Sequence, residues 1–419
     1  VFYTHHSIAM NIEDHPLAKT LPKATEAPSI QAGPQGFRDF AAREDAPATL
    51  EDFIYQDTPQ LSLHITSFDD ATLVALSWPH TLMDVMGQQA LLRGWSLVLA
   101  GRESEVPPML GAREDAICAA ADAPLEGREE EEFRLGQKRL RGWAMLMFGL
   151  RFAWDLLWNR VVETRTIFLP KRVVAELRHQ AQDDLAAPDD SGREKPFVSE
   201  GDVLTAWALR AVVSSLPQPR PVSVLHALNA RLRLSSLAQA SSSSSSSSPG
   251  VYVQNMAVAA FAFLSREVAT GPLGPIALEN RRQLMEQSTE AQVLACLREL
   301  RRGSNTGSGS DPAMVCAESS DALLMPFTNW TRAGFFHTAD FSPALVRAGE
   351  KPGPSRINPP GTMVFHHAQS MRQSTAVRNV VVVLGKDHGD NYWLAGILLP
   401  AAWTKIEEAM NGMSQGGDT

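Results

Sequence analysis

Cysteine is scarce: Cys118, Cys296 and Cys316 are the only three, far apart and odd in number. Such a set builds no disulfide framework and no C-x-x-C pair. A reducing, cytoplasmic setting is therefore the expectation. Positive charge is also in deficit, with 38 Lys and Arg against 47 Asp and Glu, a formal net charge of −9. That balance argues against a nucleic-acid backbone as the main partner. It leaves room for a small anionic ligand at a local basic patch. The pairs His5-His6 and His366-His367 stand outside any ligand-like set, so no metal is expected. The opening residues, VFYTHHSIAMNIEDHPL, lack a charged stretch followed by a long apolar run and form no signal peptide. Their abrupt start without Met suggests a trimmed natural N-terminus.

Long apolar runs are missing too. The most hydrophobic stretch, GWAMLMFGLRFAWDLLWNRVV at 142–162, is broken by Arg151 and Asp155, well short of a bilayer span. Trp143, Met147, Leu150, Trp154 and Trp158 step by three or four and share one helical face. A helix packed on a domain through that face is expected. The rival is contact with a membrane surface or a lipophilic substrate, weakened by the shortage of Lys and Arg on the polar face.

What remains is ordinary for a soluble protein: 44% hydrophobic and 20% charged residues in a chain of 419. That length suits two domains. Residues 59–68 and 69–78 read as neighbouring strands around an acidic turn, followed by a helix from Asp84 to Leu99 that Gly101 ends. Its apolar face is Leu91, Leu92, Trp95, Val98 and Leu99. The charged run 126–141 reads as a solvated helix. Strands are expected at 164–170, 222–234 and 251–265, and two more at 377–400. Helices are expected at 171–184, 197–216 with Ser199 as N-cap, 275–302 and 401–411. Val203, Ala206, Trp207, Leu209 and Arg210 are expected around the inner face of the helix at 197–216. The serine run within 241–250 and the GSNTGSGSD stretch at 303–311 read as surface loops. Helices alternating with strands point to α/β layers, with a boundary near the aromatic segment.

One pair of polar residues stands out. In SWPHTLMDVMG, His80 and Asp84 fall four apart between a strand and a helix. The bare H-x-x-x-D pattern is close to chance, and it recurs at His179 and Asp183 on a helix face flanked by Gln180 and Gln182. The first occurrence differs in context. Pro79 sets the turn, Asp84 sits at a helix start where free backbone N–H groups favour a carboxylate, and Gly87 permits close approach one turn on. A strand-to-helix turn is a common place for chemistry. A buried histidine with an N-cap aspartate is the bland alternative.

The same stretch resembles the H-x-x-x-D-G region of the BAHD acyltransferases, in the form typical of filamentous-fungal members. Four further stretches resemble family segments in the right order. They are FVSEGDVLTAWALRA ending near Trp207, LNARLRL with its Asn-x-Arg-x-Arg-like pattern, VYVQNMA carrying Asn255, and NWTRAGFFHTADFSPAL. Two departures stand against them. Asp340-Phe341-Ser342-Pro343-Ala344 replaces the family's D-F-G-W-G, and Pro79 stands where many relatives have a first histidine.

The resemblance implies an α/β fold of two similar chloramphenicol-acetyltransferase-like domains, with mixed sheets, flanking helices and an active-site tunnel at their interface. The expected division is 1–145, a crossover at 146–165, and 166–419. It implies acyl transfer from acyl-CoA, as co-substrate and not bound cofactor, to a hydroxyl or amine of a small acceptor of secondary-metabolite type. His80 would be the general base, with Asp84 and Gly87 supporting its turn. Asp340 would form a structural ion pair with Arg231 or Arg233. Ser342, Asn255 and Trp330 are pocket candidates. A monomer without a transmembrane segment is expected. A condensation-type protein using carrier-bound thioesters and a degenerate ligand-binding or scaffold relative are the alternatives. A serine hydrolase is disfavoured, because GSGS at 307–310 lacks the strand-to-helix context of a nucleophile elbow.

Overall fold

Apolar residues in the later strands alternate between two environments, and that alternation builds the main layers. Ile167 and Leu169 face one core cluster while Phe168 faces another; Leu394 and Trp393 divide the same way. The computed structural model describes residues 1–124, 130–185, 196–242, 249–305, 315–346, 357–372 and 374–415. The central serines of the run at 241–250, the end of the loop at 303–311, GSGS included, and the loop up to Lys195 lie outside them.

A seven-stranded mixed sheet dominates. Its spatial order is Ser29–Ala32, Glu163–Leu169, Tyr392–Leu398, Val380–Lys386, Leu323–Asn329, Val222–Asn229 and Ala257–Leu264. Leu323–Asn329 runs parallel to both its neighbours, and the remaining pairs are antiparallel. One face is covered by helices Lys171–Asp183, Glu200–Ser214, Leu273–Gln287 and Pro400–Gln415, which enclose the largest core cluster. Glu200–Ser214 is apolar nearly all round, and Val203, Ala206, Trp207 and Leu209 are buried as expected, while Arg210 is only half-buried. Its start is fixed by a capping box: Ser199 accepts from the Asp202 amide and the Asp202 carboxylate accepts from the Ser199 amide.

The earlier part of the chain forms a three-stranded sheet. Phe2–Ser7 runs parallel to Ser62–Ser67, which pairs antiparallel with Thr72–Ser77. The expected hairpin is therefore present. The helix Val85–Leu99 follows, and Gly101 beyond it adopts a φ of 67°. A small parallel pair, Met109–Leu110 with Val251–Tyr252, links early and late chain segments. The two sheets thus differ in size among the described residues. Residues 29–32, from the part expected to form the first domain, lie in the large sheet.

Several local expectations need correction. The described part of 126–141 forms only a short 3-10 turn, Arg134–Lys138. Its acids serve other partners: Glu130 pairs with Arg302, and Glu131 accepts from Gln292. The stretch 222–234 ends as a strand at Asn229, then turns through a 3-10 helix at Ala230–Leu232. Residues 275–302 belong to two helices, Leu273–Gln287 and Glu290–Asn305. Of the face expected on Val85–Leu99, Leu92 is fully buried but Val98 is exposed.

The aromatic segment forms the helix Gly142–Trp158. It docks through Ala144, Met145 and Phe148, not through the tryptophan face. Trp143, Leu150, Trp154 and Trp158 are 55–76% exposed. The docked side is fastened by Asp155, which pairs with the buried Arg378 at 2.7 Å, and by Arg151, which donates to Ser320 Oγ at 2.7 Å. Among the described residues no helix is long and apolar enough to cross a membrane.

The capping box supplies a direct test of local control. Ser199→Ala should lower stability by about 1 kcal/mol, read as a reduced urea midpoint with an unchanged slope.

Candidate active site

His80 lies in the turn between the strand Thr72–Ser77 and the helix Val85–Leu99. The turn closes on itself: Leu82 N–H donates to the Pro79 carbonyl at 2.8 Å, and Trp78 Nε1 donates to the Met83 carbonyl at 3.2 Å. Asn255 Nδ2 donates to the His80 carbonyl at 2.6 Å. The His80 residue is exposed, and no side-chain hydrogen bond restrains its imidazole among the described residues. The backbone is held while the ring stays available.

Asp84 is the hub. As N-cap of the helix it accepts from the Met86 and Gly87 amides at 3.0 Å each. Arg231 meets it in a fork, with Nη1 and Nη2 each 2.9 Å from a carboxylate oxygen. The Met256 amide donates to it at 2.9 Å. Burial alone would raise the Asp84 pKa. The Arg231 hydrogen bonds, the Met256 amide, the Arg231 charge and the Gly87 amide together outweigh it, holding the carboxyl below its ordinary range.

Arg231 is itself positioned by backbone. Its Nε donates to the Tyr252 carbonyl at 3.1 Å, and Nη2 donates to the Gln254 carbonyl. Gly87 explains how this segment comes so near. A Cβ there would collide with the Val253 carbonyl, so only glycine lets the 252–256 backbone cross the first helical turn.

The expected ion pair is therefore corrected. Arg231 serves Asp84 and not Asp340; Arg233 is exposed and joins neither. No basic side chain pairs with Asp340 among the described residues. Its carboxylate accepts from the Ser342 amide at 2.9 Å, closing its own turn. Its amide donates to Ser96 Oγ at 2.9 Å, and Phe341 packs edge-on to Trp95 at 5.0 Å. The DFSPA segment thus rests on the same helix that Asp84 caps. Trp330 packs near Phe335 and Met363, behind that contact, and Ser342 is exposed. Asn255, expected to line a pocket, spends its amide N–H on the His80 carbonyl.

The second H-x-x-x-D provides a contrast. His179 and Asp183 do meet, at 2.8 Å, but their side chains are 80% and 61% exposed on the helix Lys171–Asp183. It is a solvated helix pair. His226, His366 and His367 are unlike either site: burial pushes each down to about 4, leaving them neutral. Among the described residues no His, Cys, Asp and Glu grouping has the geometry of a metal site.

Comparison with known proteins decides the family. The O-acetyltransferase PaAT-2 of Phomopsis amygdali is 36% identical over 97% of this chain and 81% of its own length. The chain belongs to the fungal acetyltransferase family of PaAT-2. BOT5 of Botryotinia fuckeliana, also named an acetyltransferase, is 34% identical over 96% of this acyltransferase and 74% of BOT5. Among solved structures, TRI101 of F. graminearum complexed with coenzyme A and T-2 mycotoxin shares the fold. Its TM-score is 0.58 at 15% identity, over 96% of this chain and 79% of that one. No family model matches the sequence.

Removing the hub should be costly. Arg231→Met leaves Asp84 buried without its partner, and a loss of about 3–5 kcal/mol is expected by urea denaturation. Arg231→Lys should recover little, because one ammonium cannot reproduce the fork. The pH response has a definite sign. A depressed folded pKa means the contribution of Asp84 is complete above its unfolded value, roughly 4, and is lost as pH falls through the folded value. The gap between wild type and Arg231→Met should therefore close on acidification below about pH 4.

Proposed function

We propose that this protein transfers an acyl group from acyl-CoA to a hydroxyl of a small lipophilic acceptor, with His80 as general base. The observation that carries the assignment is the turn itself. Asn255 and Asp84 fix its backbone from two sides, while the His80 ring stays exposed and uncommitted. Histidine is the side chain suited to taking and returning a proton near neutral pH.

In this reading His80 removes the acceptor proton as the oxygen attacks the thioester carbonyl. The tetrahedral intermediate collapses, the C–S bond breaks, and imidazolium returns the proton to the departing thiolate. Asp84 stays ionised and paired, and acts only by aiming the turn. The amide of Ser342 is used by Asp340, which leaves its hydroxyl as the group it can offer a ligand. The relatives' names support acetyl transfer, and the TRI101 complex supports coenzyme A as the donor carrier. The enzyme acts in this account as a cytoplasmic monomer. An amine as acceptor follows the same chemistry.

A ligand-binding role without turnover is the second reading, favoured by the altered DFSPA segment. Thiol release from acetyl-CoA, with a panel of terpenoid and polyketide alcohols as acceptors, separates the two. His80→Ala should reduce kcat by about 10²–10⁴-fold with stability unchanged, since the residue is exposed and its imidazole makes no hydrogen bond among the described residues. Full turnover by that variant would overturn the base assignment. No turnover by wild type with any acceptor would favour the second reading.

A further inference from the structure

The outer face of the helix Gly142–Trp158 plays no part in the site or the core. Trp143, Leu146, Leu150, Trp154, Leu157 and Trp158 are each 50–76% exposed, and they run the length of the helix. Asp155 turns to the docked side, and Arg151, exposed at the edge of the strip, reaches the Ser320 hydroxyl. Trp154 and Trp158 stack on each other at 5.7 Å, forming a flat aromatic plate at one end. Trp143 stands at the other. Large apolar strips of this kind mark contact surfaces.

Charge beside the strip says what covers it. Arg141 and Arg160 bracket the helix, both exposed and without a carboxylate partner among the described residues. Next to the Trp154–Trp158 plate opens a cleft of about 470 Å³ that Arg151, Arg220 and Arg266 enter. Its two acids are already engaged: Asp155 by the buried Arg378, and Asp321 by Arg266 at 3.9 Å. Arg151 and Arg220 hydrogen-bond to uncharged groups, the Ser320 hydroxyl and the Asp321 carbonyl, while the Asp155 and Asp321 carboxylates nearby offset part of their charge. Their remaining N–H groups suit an anion such as phosphate.

We propose that this face is a docking surface for a phospholipid membrane. The helix lies in the interfacial plane, its leucines reach the acyl boundary, and the indoles sit at the headgroup level. Headgroup phosphates meet Arg151 and Arg220 in the cleft, with Arg141 and Arg160 at the ends. The strip explains why a chain with a net charge of −9 would bind: apolar burial supplies the affinity, and the local arginines set the orientation. The inference is independent of the assignment of His80.

The test is co-sedimentation of the purified protein with phosphatidylcholine vesicles, with and without phosphatidylserine. Wild type should pellet with both, more with phosphatidylserine, and its tryptophan emission should shift to the blue. The triple variant Trp143→Ser, Trp154→Ser, Trp158→Ser should bind at least about tenfold more weakly to both. Its melting temperature should be unchanged, because these side chains lie outside the core. Arg151→Gln should keep binding to phosphatidylcholine and lose the gain from phosphatidylserine. Wild type remaining in solution with both vesicles would overturn the proposal, as would equal binding by the triple variant. So would a concentration-dependent dimer that the triple variant abolishes while vesicles capture neither protein, since a second copy would then be the occupant.

Discussion

The structure around the turn that carries His80 depends on one buried ion pair. Asp84 and Arg231 are 147 positions apart in the chain, and their fork joins the first helix after the hairpin to the segment following Asn229. A carboxylate taken out of water must be fully satisfied, or its desolvation costs more than its charge returns. Here it is satisfied by a helix end, a guanidinium and the amide of Met256, from three separate places. Each contact restricts the others, so the turn carrying His80 inherits a rigidity that no local hydrogen bond could give it.

That arrangement divides labour within the motif. Asp84 is committed to the scaffold, and its depressed pKa is a measure of that commitment. His80 is left with its backbone tied by Asn255 and its side chain exposed. Gly87 is the quiet third member. Without its missing side chain the Val253 backbone could not pass, the Met256 amide could not reach Asp84, and Arg231 would lose the carbonyls that orient it. The DFSPA segment lies on the same helix through Ser96 and Trp95, so both motif regions share one support.

The helix Gly142–Trp158 shows the opposite logic. Its polar residues fasten the docked side, through Asp155 to Arg378 and Arg151 to Ser320, while its tryptophans face out. Periodicity showed that the tryptophans share a face, but it is symmetric with respect to which face the protein covers. An apolar stripe normally turns inward because burial is favourable. Here the docked side is instead the one that carries Ala144, Met145 and Phe148, with Asp155 and Arg151 fastened beside them.

Local features were legible without the fold. The hairpin at 62–77, the capped helix beyond Ser199, the buried Trp207 and the solvated pair at His179 all follow from alternation, capping chemistry and helical spacing, which act over a few residues. The place of His80 was also legible, because an apolar strand, Pro79 and an N-capping aspartate mark a strand-to-helix turn. Partner choice was not. Arg231 was a sound candidate for an ion pair, but the expected partner was Asp340. Only the path of residues 252–256 across Gly87 brought the guanidinium to Asp84, while Asp340 turned to the amide of Ser342. By itself the sequence determined which residues carry charge, cap helices and alternate along strands. Tertiary structure alone decided which charges meet and which apolar face is left uncovered, because those outcomes depend on contacts between segments far apart in the chain.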